Sequence, residues 1–187
     1  MKFVVLGAGI AGLSVAHALR KRSYEPLVIA SGHCATANGA GIVSSQFWQS
    51  DLYAHAIRSQ EIISELVTAN RCGMVQIALN GADAQLLSLI PDGALDLPKA
   101  LSKQFCSKFR SRIIASHFAE NDFWIENMQL LKELSNGCRI KEARPEKIEG
   151  SALFCNGERV EFSHLIIATG ADPTLIVYST ENGHLDW

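Results

Sequence analysis

An α/β fold that begins with a nucleotide-binding βαβ unit is predicted by three observations. A short apolar run, Phe3-Val4-Val5-Leu6, passes without a gap into Gly7-Ala8-Gly9-Ile10-Ala11-Gly12 and then into the helical pattern Leu13-Ser14-Val15-Ala16-His17-Ala18-Leu19. A second short apolar run, Leu27-Val28-Ile29-Ala30, follows the turn Ser23-Tyr24-Glu25-Pro26 at ordinary βαβ spacing. A third, Leu165-Ile166-Ile167-Ala168, is a fully apolar strand ending in Thr169-Gly170.

The G-x-G-x-x-G has a physical reading. Gly7 turns the chain sharply at the end of a buried strand, Gly9 lets a pyrophosphate approach the backbone, and Gly12 allows helix to pack closely on strand. A helix opening at about Ile10 points its free N–H groups and the positive end of its dipole at the phosphates, worth roughly 0.3–1 kcal/mol per favourable charge. Taken alone, the motif also fits a glycine-rich turn in an ordinary αβ unit. The strand before it and the helix after it favour a dinucleotide cradle.

At 187 residues the chain is one domain or a domain and a half. With 48% apolar and 19% charged residues, a soluble globular protein with a substantial core is expected. A net charge of -2 gives no electrostatic footprint for nucleic acid, so diffuse polyanion binding is not expected. Cys34, Cys72, Cys106, Cys138 and Cys155 are scattered without C-x-x-C spacing, which offers neither a metal site nor a redox pair and reads as reduced packing residues. No signal-peptide pattern or run of transmembrane length is evident, so a cytoplasmic location is expected.

In order along the chain, Arg20-Lys21-Arg22 places cations at the C-terminus of the first helix. The second strand ends at Ala30 and Ser31, where a dinucleotide fold usually carries an Asp or Glu that hydrogen-bonds the adenosine ribose. A charge-assisted hydrogen bond contributes roughly 1.5–3 kcal/mol, of which Ser31 can restore only part. Gly32 to Ile42 is too rich in small residues for a packed helix or regular strand. Its Ala35-Thr36-Ala37-Asn38-Gly39-Ala40-Gly41-Ile42 offers several unobstructed N–H groups, which fits a second backbone approach to a cofactor better than a flexible loop.

From Asp51 the pattern turns helical, with Tyr53, Ala56, Ile57, Ile63 and Val67 on one face, and predicts a helix ending near Asn70 to Gly73. Met74 to Leu79 reads as a strand closed by Asn80-Gly81, and Pro91-Asp92-Gly93 as a turn. Signals between Gly81 and Glu120 are poor beyond a helix over Lys99 to Arg110. Asn121 to Ile125 leads into a helix over Glu126 to Leu134, ended by Asn136-Gly137. Cys138 to Lys141 is a further short strand. Ala152 to Cys155 and Glu158 to Phe162 form a hairpin, because Asn156-Gly157 suits a type I′ turn.

Taken together, G-A-G-I-A-G at Gly7 to Gly12, A-T-A-N-G-A-G-I at Ala35 to Ile42 and L-I-I-A-T-G-A at Leu165 to Ala171 resemble the N-terminal half of the D-amino-acid oxidase family. These FAD-dependent amine and amino-acid oxidoreductases include glycine and sarcosine oxidases and D-amino-acid dehydrogenases. The resemblance implies a Rossmann-like FAD-binding domain over residues 1–75 and 121–187, with 76–120 inserted as an incomplete α+β part of a substrate or cap domain. It implies FAD rather than NAD. The first motif would hold the pyrophosphate, and the second would run beside the pyrophosphate, ribityl chain and flavin. Ala168, Thr169 and Gly170 would close over the cofactor, and the strand before the hairpin would give backbone contacts to adenine near Pro145. The sequence departs from the family pattern at Ala30, which lacks the acid. It also ends at Trp187, ahead of the segments that usually clamp substrate, so no catalytic residue is carried over. None of the six histidines forms a catalytic constellation, and His33 and His184 read as loop residues.

Three functional readings follow. In the first, the flavin accepts a hydride from a C–H beside nitrogen in a small amine or amino acid, and the imine is hydrolysed; the cofactor carries the hard step, so no conspicuous acid-base cluster is required. The second is the FAD domain of a tRNA wobble-uridine modification enzyme, whose glycine-rich loop A-N-G-A-G also resembles. The third is a non-catalytic or incomplete FAD-binding subunit, completed by a second polypeptide or by a homo-oligomer that covers its sheet edges.

Overall fold

Phe3 and His164 lie side by side, although most of the chain separates them. The computed structural model describes residues 1–32, 34–46, 50–90, 112–170 and 177–179. The turn expected at Pro91-Asp92-Gly93, the helix over Lys99 to Arg110, Cys106, His33 and His184 lie outside the described residues. Contacts divide the chain into two units, residues 1–39 with 127–187 and residues 40–126. The segment 76–120 falls within the second.

The first unit is built on a parallel sheet. Strand β1 (Phe3–Leu6) lies between β12 (His164–Ile167) and β2 (Leu27–Ala30), and β2 is followed by β8 (Arg139–Glu142). Helix α1 (Ile10–Arg20) makes the crossover from β1 to β2 and packs beside α4 (Asn127–Ser135). Alternation along β1 sorts its side chains. Val5, fully buried like Val28 on β2, lies against Gly12 of α1, with Cγ1 3.3 Å from where a glycine β-carbon would stand. Val4 and Leu6 point the other way, into a core with Ile29, Ala143, Leu153 and Cys155. Each buried aliphatic side chain contributes roughly 1.5–3 kcal/mol.

That second core is closed by an antiparallel sheet. It runs β11 (Glu158–Glu161), β10 (Ala152–Cys155), β9 (Pro145–Glu149), with β13 (Val177–Ser179) parallel to β9. The unit is therefore three layers, helices on parallel sheet on hairpin sheet. The expected type I′ turn is present, with φ of 49° at Asn156 and 75° at Gly157. Burial pushes the Cys155 thiol above its ordinary value, which suits the packing role expected of it.

Helix α4 buries Leu130, Leu131 and Leu134 and stops at Gly137, whose φ of 67° is the left-handed conformation that ends helices. Arg20 stands in the last turn of α1, as expected, and its guanidinium donates to the carbonyl of Asn136 at the end of α4. Arg22 donates to the Ala18 carbonyl at 3.3 Å and so does serve the last turn of α1.

In the second unit, β3 (Ile42–Val43) and β4 (Asn70–Arg71) flank β7 (Phe123–Trp124), while β5 (Met74–Ala78) pairs with β6 (Ala115–Ala119). Helix α2 (Ser50–Leu66) is shorter than its periodicity suggested, because Asn70 and Arg71 are drawn into β4. Strand β5 ends ahead of Asn80-Gly81, as expected. Asn80 caps α3 (Gly81–Leu87), its side chain accepting from the Asp83 amide at 2.9 Å. Leu87 and Ile90 then pack on Ala78, and Ala84 and Ala115 join them. Helix α3 and strand β6 occupy the stretch where sequence signals were poor. Among the described residues no helix is long and apolar enough to cross a membrane.

Candidate cofactor cleft

All four parallel strands end on the same edge of the sheet. The chain runs from β1 outward to β2 and β8 and then returns to the other side of β1 at β12, so neighbouring connections leave β1 in opposite directions. A crevice at such a switch point is where open α/β sheets bind ligands. In the first unit, a cleft of about 1060 Å³ opens there, lined by the strand ends and by the residues after them. That is the size range of small-molecule and cofactor sites, about 300–1000 Å³.

The three glycines of the first motif have different causes. Gly7 has φ of 105°, and a β-carbon on it would overlap the carbonyl of Ala168. The close passage of β1 past the end of β12 therefore requires glycine. Gly12 lies inside α1, where a β-carbon would overlap the Gly7 carbonyl. Gly9 differs. Its φ of -78° suits any residue, and an added β-carbon would meet only Thr36 Oγ1 at 3.4 Å and Cys34 Sγ at 3.6 Å, both ordinary contacts. Protein packing demands Gly7 and Gly12, whereas the space beside Gly9 is open cleft.

Gly9 is the N-cap of α1 and has no side chain with which to satisfy the helix start. The Ile10 amide, expected to be free for phosphate, instead donates to Thr36 Oγ1 at 3.2 Å. Helix geometry leaves the Ala11 and Gly12 amides without an intrahelical acceptor. The glycine-rich segment after β2 is more regular than its composition suggested. Ala35–Asn38 forms a 3-10 turn, and Ile42–Val43 is strand β3. The turn is held from α4, where Asn127 donates to the Gly39 carbonyl at 2.7 Å.

Of the residues singled out in the sequence, Gly7, Ala8, Gly9, Ile10, Ala11, Ala30, Ser31, Asn38, Pro145, Ala168, Thr169 and Gly170 line this cleft. Gly12, Ala37 and Gly39 do not; Gly12 sits beneath it as a packing residue. Ala40, Gly41 and Ile42 belong to the second unit. Cys34, Glu142, Arg144 and Asn156 also line it without having been assigned to a site from the sequence, and so does Thr36, which lies within the small-residue run singled out there. Thr36 carried a signal, as a hydroxyl inside the small-residue run. Glu142 carried a weaker one, as the residue just past the strand expected at Cys138 to Lys141.

The second unit contains a buried carboxylate that the sequence reading passed over. Asp122, fully buried, accepts from Ser44 Oγ (2.7 Å), the Ser45 amide and Oγ (both 2.9 Å), Gln46 Nε2 (3.1 Å) and Gln60 Nε2 (2.8 Å). Gln46 continues the network, its Oε1 lying 3.2 Å from His117 Nδ1 and its carbonyl accepting from Gln76 Nε2 at 3.4 Å. The arrangement pins residues 44–46, immediately after β3.

Similar structures share this architecture. L-proline dehydrogenase from P. horikoshii superposes with a TM-score of 0.76 at 17% identity, over 90% of this chain and 52% of its own. Glycine oxidase from Geobacillus kaustophilus gives 0.71 at 18%, over 91% and 56%. L-amino acid deaminase from Proteus vulgaris gives 0.70 at 16%, over 90% and 47%. The chain thus spans about half the length of the structures it matches. No curated protein matches the sequence. The family model for FAD dependent oxidoreductases matches residues 2–184, and by that match the chain belongs to the FAD-dependent oxidoreductase family of the D-amino-acid oxidase type.

Proposed function

We propose that this chain holds FAD in the cleft at the ends of β1, β2 and β8 and forms the cofactor-binding portion of an oxidoreductase that removes hydride from a C–H beside nitrogen in an amine or amino acid. The observation that carries the reading is the contrast among the three motif glycines. Of these, Gly9 alone lines the cleft without any close approach of the protein that requires glycine, at the head of a helix whose next amides lack intrahelical acceptors. A pyrophosphate there would meet backbone donors and the positive end of the α1 dipole. Ala30, Ser31 and Pro145 would face the adenosine end, and Ala168 to Gly170 would lie over the diphosphate. The Asn38 to Ile42 segment would run along the ribityl chain.

FAD, when bound, supplies the two-electron acceptor. The chain's own part is to bind and orient it. The names of the similar structures, dehydrogenase, oxidase and deaminase of amino acids, support an amino-acid substrate class. Substrate clamping would fall to parts of the fold beyond these residues, on a second polypeptide or a further stretch of this one. Residues 76–120 would contribute part of a substrate or cap domain. Cys34, Cys72, Cys138 and Cys155 are unpaired thiols, as a reducing cytoplasmic setting would leave them.

Cofactor released by heat and identified by mass spectrometry tests the reading. FAD is the expected product, and a protein that neither carries FAD nor is protected by it against thermal unfolding overturns the proposal.

A further inference from the structure

The second strand ends in Ala30, so the carboxylate that usually holds the adenosine ribose is missing from its customary strand. The neighbouring strand carries a carboxylate at its tip, Glu142. Strand β8 runs parallel to β2 with Ala30 in register with Glu142, and the Ala143 amide donates to the Ala30 carbonyl at 2.9 Å. The two strand tips are thus locked side by side. Glu142 also leans towards β2: its Oε1 lies 3.6 Å from the point where a β-carbon on Gly32 would stand, over the turn that follows Ala30 and Ser31. It lines the cleft together with Ala30, Ser31 and Gly32.

Glu142 is the one anionic side chain among the described lining residues, and Arg144 the one cation. Among the described residues no ion pair or hydrogen bond engages the Glu142 carboxylate. Lys141, next to it, is taken by Glu158 at 2.5 Å, on the hairpin. An anion left open at the adenosine end of a dinucleotide cleft has an obvious chemical complement in a vicinal diol. Its two hydroxyls can donate to the two carboxylate oxygens.

We infer that Glu142, from the third strand of the parallel sheet, is the ribose-binding carboxylate of this chain, supplying from β8 the contact that Ala30 cannot supply from β2. The inference rests on the proposed FAD cleft and deepens it. It also reverses the simplest expectation for Ala30→Glu. In the native chain a second carboxylate would stand at the register position beside Glu142, and repulsion would cancel its gain; once Glu142 is neutral, the same substitution should restore the missing contact.

Equilibrium binding of ADP and of 2′,3′-dideoxy-ADP, measured by isothermal titration calorimetry on the whole protein stripped of FAD, separates the roles. Glu142→Gln is expected to weaken ADP about tenfold, the loss of roughly one charge-assisted hydrogen bond. The dideoxy analogue should bind native protein and variant alike, and Ala30→Glu added to Glu142→Gln should recover ADP affinity. Equal loss for both nucleotides would make Glu142 a structural residue and overturn the inference, as would an unchanged ADP affinity. If native protein binds neither FAD nor ADP, the cleft assignment itself falls, an outcome distinct from failure of Glu142 alone.

Discussion

The cleft of the first unit and the Asp122 cluster of the second treat polar groups in opposite ways. In the cleft, side chains are mostly small, and the head of α1 has no capping hydrogen bond from its own N-cap residue. Around Asp122 the acceptors belong to one side chain, and five donors from four residues converge on its two oxygens. A carboxylate offers about four lone-pair sites, so that cluster is saturated and has nothing left to offer a ligand. Binding capacity and structural capacity are thus told apart by what remains unspent, not by how polar a region is.

Asp122→Ala is the harshest test of that contrast. It strips the acceptor from several buried donors at once, and each orphaned group costs about 1–3 kcal/mol. A loss of about 3 kcal/mol or more in chemical denaturation is expected; a loss below about 1 kcal/mol would mean that the cluster does not hold the second unit together.

Gly12→Ala tests the packing side of the cleft. Overlap with the Gly7 carbonyl must push α1 off the turn, and overpacking of this kind costs about 1–3 kcal/mol. Thermal stability without FAD should fall, with FAD affinity falling alongside it.

Gly9→Ala sharpens the comparison, because its β-carbon meets nothing closer than 3.4 Å. Stability of the FAD-free protein should fall by no more than about 1 kcal/mol, the cost of alanine at an N-cap. FAD affinity, followed by quenching of flavin fluorescence, should nevertheless fall at least about tenfold, or about 1.4 kcal/mol. Wild-type affinity in this variant would make Gly9 a turn residue only.

The smallest effect belongs to His17 on α1. Burial first, then the charges of Lys21 and Arg20, hold its imidazole below the usual histidine value, and Nε2 has no hydrogen-bond partner among the described residues. The unfolded chain therefore takes up its proton more readily than the folded one. Stability from this source is fully present above about pH 6.5 and is lost as pH falls through the folded value. Melting temperatures of native protein and His17→Leu, compared between pH 7.5 and 5, should show the steeper fall in native protein.

What the sequence disclosed follows the same division. Strands β1, β2, β10 and β12 and the glycine turn are written in contiguous residues, where local pattern and local chemistry agree. The Asp122 cluster is assembled from residues that lie up to 78 positions apart. Neither Ser44-Ser45-Gln46 nor Gln60 has a spacing that points to it. Asn80-Gly81 marked the end of a strand in the sequence, but the short helix that it opens was not legible, because only the packing of Leu87 and Ile90 on Ala78 holds that helix in place. Glu142 went unmarked because its meaning depends on a register with Ala30 that only the parallel sheet creates.

The central position of β1 also governs how the chain reaches its native state. Val4 pairs with Leu27 within one βαβ unit, but its other neighbour is Leu165, and the Lys2 amide likewise reaches Ser163 across 161 residues. A loop roughly sevenfold longer adds about 1.7 kcal/mol of closure entropy before any of those hydrogen bonds forms. The βαβ unit must therefore wait, with one side of its central strand unpaired, until β12 arrives. Such non-local pairing folds slowly. In pulsed hydrogen exchange, the amides of β12 should become protected late, together with those of the β1 edge that faces it, and well after the α1 amides.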